Sequence, residues 1–244
     1  MIRMISKYAK VIISSPNRYS TRYEVSRISI HCMAGDLTVE QCGNIFANPK
    51  RKASSNYGIG TVGDCACYVN EKYGSWCTSD KDNDLRAITI EVANDGDEKT
   101  GWHVSDRAFE MLIKLLVDIC TRHGKKRLVW IPEKTKALAY KPKDDELLLT
   151  VHRWFAAKAC PGDYLFNKHP EIVKRVNEEL NGYKIKATAE IRVRLKPSKE
   201  SEIVTVIHKG EVYTIIDEKK SGGYNWGKLK SGVGLISLRN TKRI

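Results

Sequence analysis

Ala87-Ile-Thr-Ile-Glu-Val-Ala93 is a nearly continuous β-branched run, the pattern of a central strand covered on both faces, and Glu91 is the one charge within it. Such a strand needs neighbours on either side and helices above and below. Upstream, Ser26-Arg-Ile-Ser-Ile-His31 alternates polar and apolar residues as a strand does, then runs into Ala34-Gly35, where the backbone can turn. Downstream, Leu128-Val-Trp-Ile131 and Leu147 to Val151 read as further strands. Ser105 to His123 is the clearest helix: Ser105 and Asp106 open it, Phe109, Leu112, Ile113, Leu116, Ile119 and Cys120 share one face, and Gly124 ends it. Thr38 to Phe46, opened by a capping-type threonine, and Pro170 to Leu180 read as two more helices. Tyr57-Gly-Ile-Gly60 and Cys67-Tyr-Val69 read as paired short strands, Ser79 to Asp84 as an acidic loop, and Lys134 to Glu146 as a polar loop. Strands alternate with helices, so the expected fold class is α/β, a central mixed β-sheet flanked by helices.

The texture changes at Asn181-Gly182. Beyond it come short β-type runs at Ile191-Arg-Val-Arg194, Ile203 to Ile207, Val212 to Ile216, Trp226 to Leu229 and Gly234 to Leu238, punctuated by Lys209-Gly210 and Ser221-Gly-Gly-Tyr224. Strands at this spacing make a small all-β barrel. The expected domains are residues 1–182 and 183–244.

A chain of 244 residues with 41% hydrophobic content suits one good core plus a small module. Its net charge of +13 is uneven: residues 183–244 carry 14 Lys+Arg against 6 Asp+Glu. A basic surface suits polyanions, including nucleic acid, anionic lipid and wall polymers, without choosing among them. Val11-Ile12-Ile13 is too short for the apolar core of a signal peptide, and no run approaches membrane-spanning length. Synthesis in the cytoplasm, without membrane insertion, is expected. Seven cysteines without framework spacing point to thiols or a metal site more than to disulfides.

Val151-His-Arg-Trp-Phe-Ala-Ala-Lys-Ala-Cys-Pro-Gly-Asp-Tyr-Leu165 concentrates the chemistry. His152 and Cys160 stand too far apart for adjacent helical turns, so both face one ion only if the chain loops back, and Pro161-Gly162 marks such a turn. Imidazole and thiolate are preferred zinc ligands, and three protein ligands with one open position make a catalytic zinc. His31, at the end of another strand, is the best third ligand. Spacing alone leaves the alternative equally open, in which His31 is a strand-end histidine and Cys160 a buried thiol. Asp64-Cys-Ala-Cys67 reads as small packed side chains, with a second metal or a redox pair as the alternative. The remaining histidines (His103, His123, His169, His208) and Cys42, Cys77 and Cys120 read as surface or satisfied side chains.

Ile28-Ser-Ile-His-Cys-Met-Ala-Gly35, with His152 and Lys158-Ala-Cys-Pro-Gly162, resembles the zinc N-acetylmuramoyl-L-alanine amidases of the phage lysozyme and peptidoglycan-recognition-protein superfamily, and within it the endolysins of clostridial phages and prophages. The resemblance extends loosely over residues 20–180. It implies zinc bound by His31, His152 and Cys160, with Lys158, Glu91 and Tyr57 as catalytic residues. It further implies cleavage of the amide between N-acetylmuramic acid and L-alanine of peptidoglycan by a zinc-activated water. Lys158 would stabilise the negative oxygen, Glu91 would carry the proton to the leaving amine, and Tyr57 would orient water or donate to the oxyanion. Cys32-Met33 departs from the second histidine or threonine that many relatives carry there. The tail resembles a bacterial SH3 domain through Ile191 to Pro197, Trp226-Gly-Lys-Leu229 and Gly234-Leu-Ile-Ser-Leu238, although it lacks the usual Ser-Gly-Pro turn and Gly-Trp-Ile. Such a tail implies binding to wall peptides, and its charge adds anionic teichoic acids as partners. The function expected is a phage or prophage endolysin released by a holin, with a non-catalytic wall-binding protein as the alternative. No nucleic-acid partner is expected, because the aromatic RNA-binding signature is missing.

Overall fold

The computed structural model describes residues 4–244, so the first three residues of the expected catalytic domain fall outside. The chain divides into two compact units, one ending at Val176 and one running from Asn177 to Ile244. The elements of the first unit are β1 (Val11–Ile12), β2 (Arg27–Cys32), α1 (Val39–Ala47), β3 (Tyr57–Ile59), β4 (Cys65–Cys67), α2 (Lys81–Arg86), β5 (Ala87–Val92), α3 (Asp106–Arg122), β6 (Arg127–Val129), α4 (Lys134–Ala139), β7 (Glu146–Val151) and α5 (Gly162–Asn181), the last crossing the divide. The strands form one mixed sheet in the order β1-β4-β3-β5-β2-β7-β6, in which β3 and β4 are antiparallel and every other pair is parallel.

Register explains the alternation along β2. Ile28 pairs with Ile88 and Leu149, Ser29 with Thr89 and Thr150, and Ile30 with Ile90 and Val151. Successive residues point to opposite faces. The isoleucines, Leu149 and Val151 therefore make one apolar face and are fully buried. The opposite face carries a hydroxyl row: Ser29 Oγ meets Thr150 Oγ1 and accepts from Asn83 Nδ2 of α2 at 2.9 Å, while Thr89 Oγ1 lies 2.7 Å from Ser75 Oγ. These buried hydroxyls are tolerated because each is partnered.

Tyr57 pairs with Ile90, which puts its ring on the apolar face. Its hydroxyl donates to Glu71 and accepts from the Ser6 amide at 2.9 Å. Two 2.6 Å bonds from the Arg122 guanidinium and a 2.8 Å contact with His123 Nε2 complete the surroundings of Glu71. This network anchors the C-terminal end of α3 to that face. Val151 also joins an apolar cluster with Ala137 of α4, Trp154 and, from α5, Phe166. α1 is fixed by a capping box between Thr38 and Gln41 and packs Val39, Cys42 and Phe46 against Ala66, Tyr68 and Ala93.

Several boundaries differ from the sequence reading. Lys134–Ala139 is helical where a polar loop is expected, because so short a helix buries one alanine and shows no periodic stripe. Lys81–Arg86 is helical and overlaps the Ser79 to Asp84 stretch read as an acidic loop, capped by Asp80, which accepts from the Asn83 amide. α5 begins at Gly162, so Pro170 lies inside it and not at its start. The strand expected at Cys67 to Val69 is shifted to Cys65–Cys67. Both cysteines of that strand are buried, and burial pushes their thiols up to about 12. Neither joins a metal-binding group among the described residues.

The second unit is an antiparallel sheet of β8 (Tyr183–Ala187), β9 (Ile191–Arg194), β10 (Ile203–Ile207), β11 (Val212–Ser221), β12 (Tyr224–Leu229), β13 (Leu235–Ser237) and β14 (Thr241–Arg243), in the order β10-β9-β13-β12-β11-β8-β14. Its core is Ile185, Ala187, Ile191, Val193, Ile207, Ile215, Leu229 and Ile236. Ile191 and Val193 point in while Arg192 points out, the alternation expected of a half-buried strand.

The Glu71 network sets a stability prediction. Burial alone would raise the Glu71 carboxyl, but the hydrogen bonds from His123 and Arg122 outweigh it and bring it to about 2. A depressed carboxyl stabilises the fold above its unfolded value and loses that contribution as pH falls through the folded one. Glu71→Gln, which takes away the carboxylate that Arg122 and His123 face while Asp118 still pairs with Arg122, should cost about 3 kcal/mol in urea unfolding at neutral pH. The gap between variant and parent should narrow as the pH falls from about 5 to about 2.

Candidate metal centre

The register that pairs Ile30 with Ile90 and Val151 brings the next residues level. His31 ends up opposite Glu91, and His152 follows β7 directly. The two imidazole rings lie 5.1 Å apart, tilted by 55°. The chain then turns back on itself through Arg153. The Arg153 amide donates to the Cys160 carbonyl at 3.1 Å, and its guanidinium binds the Ala159 carbonyl and, at 3.0 Å, Asp163. The loop so closed sets Cys160 Sγ 3.4 Å from His31 Nδ1. Ligand atoms of His31, His152 and Cys160 all lie within 4.8 Å of one another.

The donor set fits zinc. Two imidazoles and a thiol are the ligand types it prefers, and three leave a coordination position open. His31 is fully buried and its Nε2 has no hydrogen-bond partner among the described residues. Burial first, and then His152, holds His31 well below imidazole's ordinary value; burial and the neighbouring Lys158 lower His152 as well. Both rings are therefore neutral at physiological pH, the form that binds metal.

Glu91 stands beside this group. Its Oε2 is buried without a partner, and burial pushes the carboxyl well above the ordinary carboxylate range. Cys77 Sγ lies 3.9 Å from Glu91 Oε1. Ser79, with φ +62°, sets its Oγ 3.5 Å from His152 Nε2. The loop carrying these two residues is organised by Asp84, which accepts from the Cys77 amide at 3.1 Å, the Thr78 amide at 2.9 Å and the Thr78 hydroxyl at 2.6 Å. Lys158 is exposed and lines the same cleft of about 990 Å³ as Phe46, Trp76, Glu91, His152 and Cys160.

Four of the six expected site residues thus line one cleft, and His31 is buried against two of them, His152 and Cys160. Tyr57 stands apart. It faces the opposite side of the sheet with its hydroxyl committed to Glu71 and Ser6, because its register partner is Ile90 and not Glu91. Cys77, Ser79, Asp84 and Arg153 escape the sequence reading. The one usable signal is Asp80 ahead of Lys81–Arg86, a helix-capping pattern hidden in an acidic stretch.

A family model described as N-acetylmuramoyl-L-alanine amidase matches residues 21–163, more than half of the chain. Similar solved structures include a selenomethionine AmpD derivative, 16% identical, with TM-score 0.49 over 71% of this chain and 99% of that one. A mutant endolysin from Bacillus subtilis is 15% identical, with TM-score 0.45 over 68% of this chain and 97% of that one. The N-acetylmuramoyl-L-alanine amidase LysC from Clostridium intestinale URNW is 15% identical, with TM-score 0.44 over the same shares. No curated protein matches in sequence. Among the described residues no helix is long and apolar enough to cross a membrane.

Asp84 gives the centre a measurable pH signature. Burial outweighs its hydrogen bonds and raises it to about 6. The folded protein then holds this proton more tightly than the unfolded chain does, so the contribution of Asp84 to stability is greatest in acid and declines as pH rises from about 4 to about 6. Between pH 3 and pH 7, urea unfolding of the parent should lose about 3 kcal/mol relative to Asp84→Asn. A pH-independent difference between the two would contradict it.

Proposed function

We propose, since the chain belongs to the N-acetylmuramoyl-L-alanine amidase family, that it hydrolyses the amide between N-acetylmuramic acid and L-alanine of peptidoglycan at a zinc ion held by His31, His152 and Cys160. The observation that carries this reading is the convergence of three zinc-type ligand atoms from two distant stretches of sequence. A zinc ion there supplies a Lewis acid for the amide carbonyl and lowers the pKa of water from about 15.7 toward about 7.

The chain's own residues divide the remaining work. Glu91 takes the proton of the attacking water and hands it to the leaving amine. Burial raises that carboxyl above the ordinary carboxylate range, the direction that suits a proton carrier. Lys158, on the rim of the cleft beside His152, brings its ammonium to the oxygen that becomes negative, an effect worth about 3 kcal/mol. Arg153 keeps Cys160 over the histidines, and Asp84 keeps the 77–79 loop over Glu91. Tyr57 has no part in the chemistry.

Residues 1–182 are the catalytic domain in this reading. Residues 183–244 are an SH3-like wall-binding domain whose basic, antiparallel barrel concentrates the enzyme on peptidoglycan and its anionic teichoic acids. The whole acts as a phage or prophage endolysin, made in the cytoplasm and released to the wall by a holin.

Two measurements test the roles. Lys158→Ala should keep the zinc bound by His31, His152 and Cys160 while losing about 100-fold or more in wall hydrolysis, whereas Cys160→Ser should lose that zinc; equal loss of it in both would sink the division of roles. Mass spectrometry of digested wall should find free N-terminal L-alanine. Binding to wall without that product would make the chain a recognition protein instead.

A further inference from the structure

Beside the His31, His152 and Cys160 group lies a second one. Ligand atoms of His31, Cys77 and Glu91 also fall within 4.8 Å of one another. We propose that these three residues form a second site for a soft divalent cation, zinc or cadmium, and that filling it inhibits hydrolysis. The inhibition rests on Glu91 carrying the proton as proposed above; the binding does not.

Four observations support it. His31 is the only residue the two groups share, and its ring offers two nitrogens: Nδ1 faces Cys160 Sγ at 3.4 Å, and Nε2 is buried with no hydrogen-bond partner among the described residues. Among the described residues Glu91 Oε2 is likewise buried and unpartnered, while Oε1 has the Cys77 thiol at 3.9 Å, a weak donor. Carboxyl oxygens buried in that state would gain a partner from a cation. The donors are the right chemistry, since thiolate, imidazole and carboxylate together select zinc-like ions, while calcium and magnesium prefer all-oxygen sites. The site is also fixed and reachable. Asp84 holds the Cys77 amide and both donors of Thr78, and Cys77 and Glu91 both line the cleft. On binding, the Cys77 thiol, the Glu91 carboxyl and the one ring N–H of His31, whose Nδ1 faces Cys160, give their protons to solvent, and the ion occupies the carboxylate oxygens of Glu91. Those oxygens are then closed to the proton that hydrolysis must move.

The test is a metal titration of the purified full chain, counting bound Zn2+ and Cd2+ by equilibrium dialysis and following the cadmium–thiolate absorbance. Two equivalents should bind. The tighter should vanish in Cys160→Ala and the weaker in Cys77→Ser, and Glu91→Gln provides a second variant that should also lose the weaker one. Wall hydrolysis by the parent should fall about 100-fold as the second equivalent fills. A single equivalent at saturation, or two equivalents surviving in both Cys77→Ser and Glu91→Gln, would overturn the second site while leaving the first intact. No bound metal at all would overturn both. Two equivalents without loss of hydrolysis would overturn the inhibition.

Discussion

Three parallel strands in fixed register hold the centre together. Ile30 of β2 sits between Ile90 of β5 and Val151 of β7, all three fully buried on the apolar face. Because side chains alternate, the residues that follow must face the other way. His31 therefore comes level with Glu91, and β7 ends where His152 begins. A one-residue slip of β2 would send His31 into the apolar face and an isoleucine to the centre. The buried isoleucines thus position the polar groups without touching them.

The two loops that complete the site are held by charge. Arg153 ties Cys160 back by its backbone amide and by its guanidinium on Ala159 and Asp163. Asp84 does the same for the loop after Trp76 through three hydrogen bonds from Cys77 and Thr78. Both anchors sit within a few residues of the groups they place, so each loop is short and its closure entropy small. The cost falls on Asp84, whose burial disfavours its charged form. On the opposite face, Glu71 is buried among enough donors that its charge is retained.

Much of this was legible in the sequence, and the rest has physical reasons for being hidden. β5 and α3 announce themselves because long periodic runs of buried apolar residues leave a strong pattern. α2 and α4 are six residues each, too short to show a period, and α5 carries a proline that reads as a boundary. The pairing of His31 with Glu91 depends on which strands are neighbours, and β2 and β5 are separated by two other strands in sequence. Tyr57 shows the limit of carrying a role across by resemblance. The sheet pairs it with Ile90, and that one register step decides its face. Cys77 carries no signal at all, since a single cysteine in an acidic stretch gains meaning only from the Asp84 turn that brings it to Glu91.

The central claim is that one zinc ion joins the end of β2 to the loop after β7. Diffraction from crystals of the full chain, with anomalous differences recorded across the zinc absorption edge, tests it most directly. The strongest zinc peak should lie about 2.0–2.3 Å from a nitrogen of His31, a nitrogen of His152 and the Cys160 sulfur. A zinc peak without His31 among its ligands, or no peak in crystals grown with zinc, would contradict the account.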